Sequence, residues 1–198
     1  MTAAIIMAAG ASSRMGMPKG LVRLGRSTAL ESMLRNLEAL PLEKVYVVIG
    51  SAAGEYRAKV PESNFQYVLN AEWSRGRTGT VKAGLRALGR LSGPVILWPV
   101  DHPLVSQNTL SRLMEVSEVA KCNWIVPSFR GKRGHPPVAG PKATREIMTY
   151  GDDEPLRRYP LEHPSEVVEV EVEDRGILEN LDTPDELARA TTGRPEDL

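Results

Sequence analysis

Cysteine is almost missing from this sequence: Cys122 is the single one in 198 residues. One thiol excludes an internal disulfide and any metal site built from clustered cysteines, which fits a reducing compartment. Cys122 itself reads as a small buried hydrophobe. Excess charge is lacking as well, since 25 Lys plus Arg face 25 Asp plus Glu. No overall field draws the chain to a nucleic acid or an anionic membrane, so any anion binding must be local. Long apolar runs are also absent. The stretch from Met1 to Met7 is apolar and uncharged but stops before Gly10, too short for a signal h-region or a membrane span. It reads as a buried strand in a cytoplasmic protein. Internal repeats and low-complexity tracts are not seen.

What is present is enough apolar material, 41%, for one compact domain with a sizeable core. The first half repeats a short apolar run, a Gly-containing break and a stretch with helical spacing, the pattern of parallel βαβ units. Strands are expected at Ala3 to Ala8, Lys44 to Ile49, Phe65 to Leu69 and Pro94 to Trp98. Thr28 and Glu31 form a capping box for a helix through about Leu40, with Leu30, Met33, Leu34 and Leu37 at core spacing. Further helices follow Thr78 and Ser106. Beyond Asn123, Trp124 to Pro127 is strand-like, and 128–141 is a Gly- and Pro-rich excursion without helical character. Val167 to Val172 alternates Val with Glu, as an edge or antiparallel strand does. A last helix starts at Thr183, with Pro184 in its first position.

The segment from Ala8 to Lys19 begins where the first strand ends, and in an open α/β sheet that carboxyl-end crevice is where ligands bind. Its small residues let backbone N–H groups approach an anion, and Arg14 and Lys19 supply two cations suited to a polyphosphate. Gly10 and Gly16 lie six apart with no glycine at position 12, so the dinucleotide fingerprint fails, and no G-K-[ST] follows, so the Walker loop fails. The bland alternative is a tight strand-to-helix turn with two surface cations. Asp101 follows the fourth strand, on the same edge, where a carboxylate can bind a hard cation; the bland alternative is a turn or helix-start aspartate before Pro103.

The loop resembles the signature A-A-G-x-S-x-R-M-G-x-P-K of the molybdenum-cofactor nucleotidyltransferases, the MobA-like NTP transferases, through Ala8, Ala9, Gly10, Ser12, Arg14, Met15, Gly16, Pro18 and Lys19. Further matches follow in order. Asn70, Trp73, Gly76 and Thr80 to Leu85 resemble N-x-x-W-x-x-G-x-x-x-S-L-R-A-G-L, and Pro99 to Pro103 resembles P-V-D-x-P. Arg133 to Pro136 resembles R-G-H-P, and Asn180 to Pro184 resembles N-x-D-T-P. Two departures stand out: Thr80 replaces a serine, and Glu154 replaces the second glycine of a G-D-x-G-x-R segment that starts at Gly151.

This resemblance implies a single Rossmann-like three-layer α/β domain, nucleotide-diphospho-sugar transferase-like. Its sheet is mostly parallel with helices on both faces, plus a small antiparallel substrate-binding excursion. The domain would span 1–190, with a nucleotide-binding half at about 1–105, an acceptor-binding half at about 106–190 and a flexible tail at 191–198. Arg14, Lys19 and Asp101 would be catalytic. Ala8, Ala9, Gly10, Ser12, Arg14, Lys19, Asn70, Gly76 and Thr80 would hold the nucleotide. Asp101 and Asp182 would hold Mg2+, or Mn2+, with an N-cap for the Thr183 helix as the alternative role of Asp182. Arg133, Gly134, His135 and Pro136 would bind the acceptor, although a basic Gly-rich stretch also suits a solvated hairpin. His102 and His163 read as surface or packing residues.

The chemistry implied is attack by an acceptor phosphate oxygen on the α-phosphorus of an NTP, with pyrophosphate leaving. A phosphate monoester has a second pKa of about 6 and is already ionised at neutral pH, so no general base is required. The Ala8-Ala9-Gly10 run, where the guanylyl branch has A-G-G, favours the cytidylyl branch and CTP, with the Ala9 methyl narrowing the base slot. The acceptor would be a pterin-type cofactor such as molybdopterin, or a sugar, alditol or alcohol phosphate. A third reading is a non-catalytic nucleotide- or cofactor-binding protein that hands its ligand to a molybdoenzyme or its maturation factor.

Overall fold

The computed structural model describes residues 2–89, 92–120 and 122–191, the last by its backbone alone; the flexible tail expected beyond it lies outside the described residues. Strand β1 (Ala3–Ala8) leads through a small antiparallel hairpin, β2 (Arg23–Leu24) and β3 (Ser27–Thr28), into α1 (Ala29–Glu38). Then come β4 (Lys44–Ile49), α2 (Ala53–Lys59), β5 (Gln66–Leu69), α3 (Arg77–Leu88), β6 (Val95–Pro99) and α4 (Gln107–Val119). The second half contains β7 (Trp124–Phe129), β8 (Lys132–Arg133), β9 (Val138–Ala139), α5 (Pro141–Ile147), α6 (Arg158–Glu162), β10 (Val167–Glu171) and α7 (Pro184–Thr191).

The main sheet runs β10-β7-β9-β6-β1-β4-β5, with β8 paired to β7. Chain order moves from β1 outward to β4 and β5, then returns to place β6 on the other flank of β1, both pairings parallel. The carboxyl ends of β1 and β6 therefore bound the crevice where the direction of winding reverses, the ligand position of doubly wound sheets. Side chains alternate across β1: Ala4, Ile6 and Ala8 enter a core with Met33, Leu37, Tyr56, Leu110 and Leu113. Ala3 and Ile5 face Val81, Leu85, Leu88, Ile147 and Tyr159. Both faces are thus covered by helices, which is why β1, β4 and β6 read as continuous apolar runs.

The capping box forms as the sequence predicts: the Thr28 hydroxyl accepts from the Glu31 N–H, and Glu31 accepts from the Thr28 N–H. Helix α1 stops at Glu38, short of the expected Leu40. Helix α2 was not expected, because Tyr56 is its one buried side chain and seven residues show no periodicity. Val167–Glu171 is an edge strand but runs parallel to β7, so the antiparallel alternative is excluded. Its alternation reports one-sided burial, not direction. The expected antiparallel excursion is partly built into the main sheet, since β9 lies between β6 and β7 and pairs antiparallel with both. Cys122 is half-buried against the core.

Gly84 brings α3 down onto β1: a Cβ there would lie 2.8 Å from Cγ2 of the fully buried Ile5. Overpacking of this kind costs about 1–3 kcal/mol. Gly84→Val is expected to lower the unfolding free energy by about that amount, measured as a reduced urea midpoint at unchanged slope.

Candidate active site

The loop after β1 is folded by its own residues. Ser12 takes a left-handed turn at φ 52°. Its carbonyl accepts from the Met15 N–H at 3.0 Å, and its hydroxyl accepts from the Lys19 N–H at 3.1 Å, drawing the two ends of the loop together. Since Oγ accepts there, its own proton is left to donate to a ligand. Met15 anchors the loop in a small core with Val22, Leu24, Leu104 and Leu181, packed against Leu187 of α7. A Cβ at Gly10 would meet nothing within 4 Å, so the loop is open at that face.

Asp101 and Asp182 come from far-separated parts of the chain and are placed together by backbone pairing: the Leu181 N–H donates to the Asp101 carbonyl at 2.8 Å. Both aspartates are buried, and the ammonium of Lys19 sits between them. Its Nζ lies 3.5 Å from Asp101 Oδ2 and donates to Asp182 Oδ1. Arg14 reaches the other oxygen of Asp182 at 2.8 Å while 65% of its side chain stays exposed, against 13% for Lys19. Burial works to raise the Asp101 carboxyl, but the His102 imidazole at 3.0 Å and the Lys19 ammonium outweigh it and hold it well below the usual carboxylate range. Asp182 is also lowered: burial and the neighbouring Asp101 oppose the shift, and Lys19 and Arg14 produce it. The N-cap alternative for Asp182 is excluded, because Thr183 caps α7 through the Glu186 N–H and the Asp182 carboxylate faces Lys19. The Asn180 amide donates to Asp182 Oδ2 at 2.9 Å, and its Oδ1 is buried without a protein partner. Two carboxylates beside an orphaned amide oxygen form a hard-oxygen donor set that suits magnesium or manganese.

The nucleotide-side candidates line the neighbouring edge. Asn70 joins the end of β5 to α3, its amide donating to Thr80 Oγ1 at 3.2 Å and its Oδ1 accepting from the Glu72 N–H. Ala9 and Gly10 are tied to the end of β4, where the Ser51 N–H donates to Ala9 O and the Ser51 hydroxyl to Gly10 O at 2.9 Å. Gly50 must be glycine here, since a Cβ would strike the Ala9 carbonyl and Trp73. Gly76, at φ 148°, lies against the backbone of Asp152.

The acceptor-side candidates divide. His135 packs against His102 with the rings tilted by 50° and 4.4 Å between ring centres, so it touches the aspartate cluster through His102, and its Nδ1 is buried without a partner. Gly134 and Pro136 flank it. Arg133 instead donates twice to Glu169 on the exposed face of β10, at 2.8 and 2.5 Å. His102, read from sequence as surface or packing, is a buried neighbour of Asp101. Arg77, the first residue of α3, adds positive charge near Asp101 and His135; nothing in its spacing marked it. Asn180 was legible as part of a motif but without a role. His163 pairs with Glu146 at 2.9 Å and, with Glu162, brings three ligand-type atoms within 4.8 Å of one another. Tyr150 also donates to Glu146, so that cluster satisfies itself and serves the packing of α5 on α6.

A family model described as a MobA-like NTP transferase domain matches residues 4–167. The molybdenum cofactor cytidylyltransferase of Escherichia coli K12 is 26% identical over 190 residues, covering 94% of this chain and 93% of that protein. The nicotine blue oxidoreductase of Paenarthrobacter nicotinovorans is 25% identical over 193 residues, covering 93% and 94%. Among solved structures, that of Rv0371C from Mycobacterium tuberculosis H37Rv in complex with manganese superposes with a TM-score of 0.82 at 21% identity, covering 98% of this chain and 99% of that one. No helix among the described residues is long and apolar enough to cross a membrane.

Burial pushes the His135 imidazole down to about 4. An unfolded histidine titrates near 6.5, so between these values the unfolded chain binds more protons and the folded state loses stability as pH falls. Urea unfolding at several pH values is expected to show this loss below about pH 6.5, and His135→Gln to remove that part of the slope.

Proposed function

The chain belongs to the MobA-like NTP transferase family, a family of nucleotidyltransferases, and from that premise we propose that it transfers CMP from CTP to the phosphate of a small acceptor such as molybdopterin, releasing pyrophosphate in the cytoplasm. The observation that carries the reading is the meeting of Arg14, Lys19, Asp101 and Asp182 in the crevice between β1 and β6. The two full-length relatives are about equally similar to this chain, so identity alone does not choose between their activities. Paired cations beside paired acids favour nucleotidyl transfer, because they match a triphosphate and its divalent cation.

In this mechanism the chain positions charge and moves no proton. The Ser12 hydroxyl and the open backbone at Gly10 receive the phosphates, and Arg14 and Lys19 stabilise charge on the α-phosphate and on departing pyrophosphate. Magnesium or manganese held by Asp101 and Asp182 would neutralise charge on phosphate oxygens. An acceptor phosphate is ionised already, so a neutral His135 serves by hydrogen bonding and needs no basicity. Ala9 and Thr80 shape the base slot, with the Ala9 methyl favouring a pyrimidine.

A panel of NTPs crossed with phosphorylated acceptors, including the molybdenum cofactor, tests the reading by pyrophosphate release. CTP is expected to be the best donor, and Asp101→Ala or Lys19→Met to lower kcat about 10²–10³-fold. A purine NTP turned over faster than CTP would contradict the base assignment. Tight CTP binding without release for any acceptor would instead indicate a carrier.

A further inference from the structure

The N-cap position of helix α3 is Gly76, which has no side chain to cap the helix. The cap comes from the other half of the chain. The Gly79 N–H donates to the Asp152 carbonyl at 3.2 Å, and the Thr78 hydroxyl donates to the Glu154 carbonyl. One turn on, the buried Lys82 donates to Tyr150 O at 2.7 Å and to Asp152 Oδ1 at 2.8 Å. The glycines record how closely 150–154 is laid on this turn. A Cβ at Gly76 would collide with the Asp152 carbonyl, and one at Gly79 would lie 3.1 Å from Asp152 Cγ.

We propose that Lys82 and Asp152 are positioning residues that fix the nucleotide-base wall, Gly76 to Thr80, by clasping it to the 150–154 segment of the acceptor half. The proposal deepens the nucleotidyltransferase reading and rests on it for the placement of the base. Helix α3 is held to the sheet independently by Val81, Leu85 and Leu88, so the clasp governs the first turn and not the fold. A buried ammonium is stable only with its partners in place, which makes Lys82 the pin: without it, the Asp152 carboxylate and the Tyr150 carbonyl lose that donor and the cap on Gly79 is loosened. The base pocket is then a product of both halves of the chain, and nucleotide affinity depends on a segment remote from it in sequence.

The test compares the full-length protein with Lys82→Met, Lys82→Arg and Thr78→Val by calorimetric CTP binding, steady-state kinetics and amide exchange at Gly79. Lys82→Met is expected to weaken CTP binding and raise its KM by about 10-fold or more, with kcat at saturating CTP little changed and Gly79 exchanging faster. Lys82→Arg, which restores a cationic donor, is expected to recover most of the affinity. Thr78→Val, which cuts a different tie, should move affinity in the same direction and covers the case in which Lys82→Met does not fold. Wild-type CTP affinity in Lys82→Met and Thr78→Val would overturn the proposal. Absence of nucleotide binding by the wild-type protein would overturn the function reading itself, a distinct result.

Discussion

The site is organised around one ammonium. Lys19 Nζ is shared by two buried carboxylates that the chain brings from separate places, Asp101 after β6 and Asp182 before α7. Two acids buried side by side repel, and an uncompensated buried charge is costly; the lysine makes the juxtaposition tolerable. Several local features follow from this need. Ser12 bends the loop and holds the Lys19 amide, Met15 packs the loop under α7, and the Leu181 N–H bound to Asp101 O aligns the two acidic segments.

In the reaction we propose, these same four charges would meet a triphosphate and its divalent cation. Both cations are paired with the acids: Lys19 is buried between them, and Arg14 reaches Asp182 with most of its side chain exposed. Two histidines border the cluster: burial pushes the His135 imidazole down, and His102 pairs with Asp101.

The parts of the fold that were legible are those where burial follows period. Strands β1, β4 and β6 are covered on both faces and read as apolar runs, and α1 and α4 show core spacing behind the caps Thr28 and Ser106. What escaped has a physical cause in each case. Helix α2 buries Tyr56 alone, so it carries no pattern. β10 alternates because one face is wet, which is equally true of parallel and antiparallel edges. β9 is two residues long and owes its place in the sheet to neighbours on both sides.

By itself the sequence determined the class of fold, the family and the candidate residues of the first loop, because local periodicity, small residues after a strand and motif spacing are properties of short stretches. Only the tertiary structure decided that Asp182 faces Lys19 instead of capping α7, that Arg133 is engaged by Glu169, that His102 stands beside Asp101, and that Lys82 is tied to Asp152. Those contacts join residues separated by 36 to 163 positions, apart from His102, which is adjacent. No local pattern encodes them; the direction in which a side chain points is fixed when the sheet closes and its neighbours take up their places.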